Sequence, residues 1–93
     1  MKIEVFGKEG CALCQSTKRK LQHFIEKWGM AGSVEMTFVN LETEDGMAEA
    51  AFRDVTEVPT TLVSDASVVL ARWEHEIPPS DDVKKVLEVT ARV

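Results

Sequence analysis

The sequence predicts an α/β domain in the order β-α-β-α-β-β-α, a mixed four-stranded sheet flanked by three helices. Three observations lead there. Short runs with apolar residues at every second position mark four strands, and longer runs with apolar residues at helical spacing mark three helices. The order of these runs, two strand-helix crossovers and then a hairpin, suits a sheet whose first two strands are parallel and whose last two are antiparallel. Ninety-three residues are enough for one hydrophobic core and not for two, so residues 1–93 are expected to form a single domain.

The first strand is read in Lys2 to Phe6, where Ile3 and Val5 alternate with polar neighbours before Gly7 and Gly10 end the run. Cys11-Ala12-Leu13-Cys14 follows at once. Leu21, Phe24, Ile25 and Trp28 then recur on one helical face until Gly29 and Gly32. Val34 to Asn40 alternates through Met36 and Phe38 and reads as the second strand. Alanine-rich Met47 to Val55 reads as the second helix, placed after Gly46. Thr60 to Ser64 and Ser67 to Trp73 form the expected hairpin around Asp65-Ala66, a turn without the favoured glycine. Pro78 and Pro79 break the chain. Ser80 is the expected N-cap of a last helix, Asp81 and Asp82 suit its positive end, and Val83, Val86, Leu87 and Thr90 form its apolar face.

Composition excludes several functions. A formal net charge of -5 offers no general attraction for nucleic acid, which is held by clustered Lys and Arg. The single basic cluster, Lys18-Arg19-Lys20, is read as a charged helix face. No apolar run approaches the roughly 18 residues that span a bilayer, and Glu4 interrupts the opening run, so neither a membrane span nor a secretion signal is expected. A cytoplasmic monomer is the expectation.

The chain has two cysteines, two residues apart. A loop that short restrains the unfolded chain very little, so the pair calls for a chemical explanation rather than a structural one. Placed where a strand feeds a helix N-terminus, it has one: unpaired N–H groups and the helix dipole stabilise a thiolate, and the thiolate is the nucleophile. Cys11, at the mouth of the helix, is assigned as attacking nucleophile, and Cys14, one turn in, as resolving thiol. The exchange passes through a mixed disulfide and needs neither metal nor organic cofactor.

With these residues in order, the chain resembles the thioredoxin and glutaredoxin superfamily over essentially its whole length. Besides the strand-CxxC-helix unit, Val55-Thr56-Glu57-Val58-Pro59-Thr60-Thr61-Leu62-Val63 resembles the family segment in which a cis-proline precedes the third strand. The resemblance implies the thioredoxin fold, a cis Val58–Pro59 bond beside the dithiol, and a Val58 backbone that pairs in strand fashion with the substrate. It further implies disulfide-containing protein substrates, with electrons supplied by thioredoxin reductase or glutathione. The short N-terminus and Lys8, three residues before Cys11, are similar to glutaredoxins, and an ammonium there would favour the Cys11 thiolate. Three departures stand out. Ala12-Leu13 replaces the common Pro-Tyr. Glu74-His75-Glu76-Ile77-Pro78-Pro79-Ser80-Asp81-Asp82 stands where glutaredoxins carry the Gly-Gly of their glutathione site and the acid that follows it. Val5 falls where thioredoxins bury the acid that assists their second cysteine. The tail Ala71-Arg72-Trp73-Glu74 is similar to thioredoxins and to the redoxins of ribonucleotide reductase.

The alternative is a carrier module holding a metal or an iron-sulfur cluster on the same fold. A structural zinc takes four ligands, and beyond the cysteines the remaining candidates are His23 and His75, in different elements. Both histidines read as exposed residues, and Trp28 and Trp73 as core or edge packing.

Overall fold

The computed structural model describes residues 1–66 and 68–91, with residues 89–91 in their backbone only. Its elements are β1 (Lys2–Gly7), α1 (Ala12–Lys27), β2 (Glu35–Asn40), α2 (Glu44–Phe52), β3 (Thr60–Asp65), β4 (Val68–Glu74) and α3 (Ser80–Ala91). Ser67 and the side chain of Thr90, both assigned roles above, lie outside the described residues. The sheet order is β2-β1-β3-β4. β1 and β2 are parallel, β3 is antiparallel to β1, and β4 is antiparallel to β3 with an irregularity between Val63 and Ser64.

Alternation along β1 and β3 divides the core into two layers. Ile3, Val5 and Val63 point to the face covered by Leu21 and Ile25 of α1 and Val83 and Leu87 of α3. Phe6 and Leu62 point the other way, against Ala50 of α2 and Val55 beyond it. Trp28 and Trp73 pack half-buried against the first layer. Burying a leucine of this kind contributes about 2 kcal/mol, so Leu21 and Ile25 clamp the body of α1. Its N-terminus is left at the end of the sheet where β1 finishes.

Three details differ from the pattern-based expectation. α2 begins at Glu44 rather than Met47, capped by Thr43, whose hydroxyl accepts from Gly46 N–H at 2.9 Å. Gly46 is therefore inside the helix rather than before it, and it has no side chain because a Cβ there would run into the carbonyl oxygen of Asn40. Ser80 is the first residue of α3 rather than its cap: the first turn closes on the Pro79 carbonyl, which accepts from Asp82 and Val83 at 3.1 Å. Glu4, one of the polar neighbours in the alternation of the first strand, is only 2% exposed, on the α2 side of β1. Its Oε1 lies 3.8 Å from Arg53 Nη2 and accepts no hydrogen bond, while Oε2 lies 3.8 Å from Lys2 Nζ. Arg53 caps the end of α2, and Arg72 of β4 donates to the Arg53 and Asp54 carbonyls at 2.7 and 2.6 Å. These bonds satisfy acceptors that the helix end leaves open.

A dithiol at the junction of β1 and α1

β1 runs out at Gly7, and a turn through Lys8, Glu9 and Gly10 delivers the chain to Cys11. The turn is closed by the Cys11 N–H, which donates to the Lys8 carbonyl at 3.2 Å. Cys11 is itself the N-cap of α1: its backbone is extended, and its sulfur accepts from the Cys14 N–H at 3.1 Å. Ser, Thr, Asp and Asn are the ordinary residues for this task because their oxygens accept well. A thiolate, as an anion, serves in the same geometry.

The charge pattern of the helices agrees with that role. α2 and α3 each place two acids in their first turn, Glu44 with Asp45 and Asp81 with Asp82. α1 has none. The positive end of its dipole is thus uncompensated except by the Cys11 sulfur.

The two thiols differ sharply. Cys11 is partly exposed and Cys14 is fully buried. The Cys11 pKa is lowered, first by the hydrogen bond from the Cys14 thiol, then by the N–H groups of Cys14 and Leu13, and last by the Lys8 charge, against some desolvation. The Cys14 pKa is pushed up to about 11, chiefly by burial and then by its bond to the Cys11 sulfur. One proton is therefore shared unequally, with the negative charge favoured on the outer sulfur.

Thr60 pairs with Phe6, one residue before Gly7. The Val58–Pro59 segment that leads into β3 consequently leaves the sheet at the same end as the dithiol. The Val58–Pro59 peptide is cis. The Lys8 side chain is exposed and acts on the Cys11 thiol through its charge. No described hydrogen bond joins Val58 or Pro59 to either cysteine. Sequence reasoning missed His75, whose ring reaches Val58 from the end of β4. Its partner lies 17 residues back, too far for any local pattern to show. Among the described residues no three His, Cys, Asp or Glu side chains are grouped to hold a metal ion, and no helix is long and apolar enough to cross a membrane.

The sequence matches no family model and no curated protein. Solved structures do match. Thioredoxin 1 from Thermosipho africanus has a TM-score of 0.77 at 20% identity, covering 99% of this chain and 96% of that one. Thioredoxin-2 of the malaria parasite has a TM-score of 0.77 at 17% identity, covering 94% and 80%. Thioredoxin O2 from Arabidopsis thaliana in its oxidized state has a TM-score of 0.73 at 17% identity, covering 94% and 71%. At such identities the likeness is one of architecture, and it extends over nearly the whole chain: the protein has the thioredoxin fold.

Proposed function

We propose that this chain is a thiol-disulfide oxidoreductase that reduces disulfides of protein substrates in the cytoplasm. The observation that carries the reading is the opposed pair of thiols at a helix N-terminus, Cys11 outer and favoured as thiolate, Cys14 buried and favoured as thiol. The Cys11 thiolate attacks one sulfur of the substrate disulfide. A Cys11–substrate bond forms, the substrate S–S bond breaks, and the first substrate thiolate leaves and takes a proton from water.

Once Cys11 is in the mixed disulfide it carries no charge and no longer accepts from the Cys14 thiol. Two of the causes that raise the Cys14 pKa are then gone, and burial remains. Cys14 becomes easier to deprotonate at the step that needs it. Its sulfur attacks Cys11, the intramolecular disulfide forms, and the second substrate thiolate leaves and takes up the proton. Two electrons have passed from the dithiol to the substrate. The Val58 backbone is the edge against which the substrate segment lies, with Pro59 beside it, and Lys8 adds a positive charge near Cys11.

The oxidised dithiol is recharged by thioredoxin reductase or by glutathione. A paired turnover assay tests both the activity and the donor: reduction of a protein disulfide is coupled in one arm to thioredoxin reductase and in the other to glutathione with its reductase. Turnover is expected in at least one arm and its loss in Cys11→Ser. Turnover in neither arm would refute the reductase reading.

A further inference from the structure

His75 follows Glu74, which pairs with Thr60 at the dithiol end of the sheet. It is tied twice to the segment before β3. Its backbone N–H donates to the Pro59 carbonyl at 2.7 Å, and its ring Nδ1 lies 2.8 Å from the Val58 carbonyl oxygen. A carbonyl has no proton to give, so Nδ1 is the donor. The residue adopts φ of 55°, a left-handed conformation uncommon outside glycine, while its side chain remains 68% exposed. An exposed ring that bonds a backbone acceptor in place of water occupies a group another chain would otherwise reach.

The other backbone group of Val58, its N–H, donates to no described residue. An extended segment lying alongside Val58 would offer a carbonyl to that N–H and its own N–H to the Val58 carbonyl. The first bond is available at once. The second must compete at an oxygen that already accepts from the His75 ring. The Glu57 carboxylate, 3.8 Å from Nδ1, gives the ring another acceptor if it leaves.

We propose that His75 is a specificity-determining gate: its ring covers the Val58 carbonyl until an extended peptide next to the substrate disulfide displaces it toward Glu57. The inference rests on the reductase reading and narrows it, because substrates gain the second backbone bond only if they present an extended strand with a free N–H. Small disulfides, which have no such strand, do not engage the gate.

The test compares kcat/KM for a peptide disulfide with the rate constant for a small aromatic disulfide, as a ratio. Removal of a competing hydrogen bond in His75→Ala is expected to raise this ratio about fivefold, mainly through KM. His75→Asn keeps a donor on a residue that tolerates positive φ, so its ratio is expected to return toward that of the unaltered protein. An unchanged or lower ratio in His75→Ala would overturn the gate. A second measurement covers poor folding of that variant: ring-nitrogen NMR of His75 in Cys14→Ser, with Cys11 joined either to the peptide or to a small thiol. The Nδ1–H resonance is expected to move with the peptide and not with the small thiol, and the same resonance in both would also overturn the gate. Failure of Cys11 to react with either disulfide would refute the reductase reading itself, a result distinct from a flat ratio.

Discussion

Gly7 and Cys14 meet so closely that no side chain fits between them: a Cβ on Gly7 would stand 2.8 Å from both the Cβ and the Sγ of Cys14. The same Cβ would lie 3.3 Å from Cε2 of Phe38. The second cysteine is thus seated on bare backbone at the end of β1, with an aromatic edge beside it. Gly7→Ala forces either Cys14 or the start of α1 outward, which costs about 1–3 kcal/mol. The expected outcome is a lower unfolding midpoint in denaturant together with a mixed disulfide that resolves several-fold more slowly. Quenched time courses that separate attack from release check the second effect.

The order of influences on Cys11 makes its neighbours separable. The Cys14 thiol is the largest cause of the lowered pKa and Lys8 the smallest. Thiolate reactivity is present above the Cys11 midpoint and lost as pH falls through it, so removing a stabilising partner moves the midpoint up. Cys14→Ala is expected to move the alkylation midpoint of Cys11 upward by clearly more than Lys8→Ala does. Because Lys8 is exposed, its smaller effect is expected to vanish in roughly 1 M salt, where charges are screened within about 3 Å. A Lys8→Ala shift that equals that of Cys14→Ala would reverse this ranking.

The Glu4–Arg53 pair lies under the sheet, on the face opposite α1. Burying the Glu4 carboxylate is costly, and removing Arg53 leaves it with Lys2 alone, 3.8 Å away. Arg53→Met is expected to destabilise the fold by about 1–3 kcal/mol, whereas the double variant Glu4→Leu with Arg53→Met recovers most of that loss. Equilibrium unfolding of the two single variants and the double variant completes the cycle.

Much of this fold is legible in the residues themselves. The alternation Ile3, Val5 and the spacing Leu21, Ile25 announce β1 and α1, because the faces they define are the faces that become buried. The places where pattern failed share one cause: the deciding partner is distant or unusual. Gly46 reads as a helix breaker, and only the nearby Asn40 carbonyl shows that α2 needs a residue without a side chain there. Glu4 reads as a polar strand residue until Arg53 is brought beneath it.

At the site the same division holds. The CxxC spacing and its strand-to-helix position point to Cys11 and Cys14, but a cysteine as N-cap departs from the usual residues and is seen only in the bond from Cys14 N–H. His75 reads as exposed, which it is. Its bond to Val58 depends on how β4 ends against β3, a property of register rather than of local sequence.

The most direct test of the dithiol chemistry is the pH dependence of alkylation of the reduced, metal-free protein, with each cysteine followed separately by peptide mapping. The expected result is that Cys11 is modified first, with a midpoint below the ordinary thiol value of about 8.5, while Cys14, fully buried and held as a thiol as long as Cys11 is free, is modified only after it. Modification of Cys14 first, or a Cys11 midpoint at or above the ordinary value, would contradict the assignment of Cys11 as nucleophile.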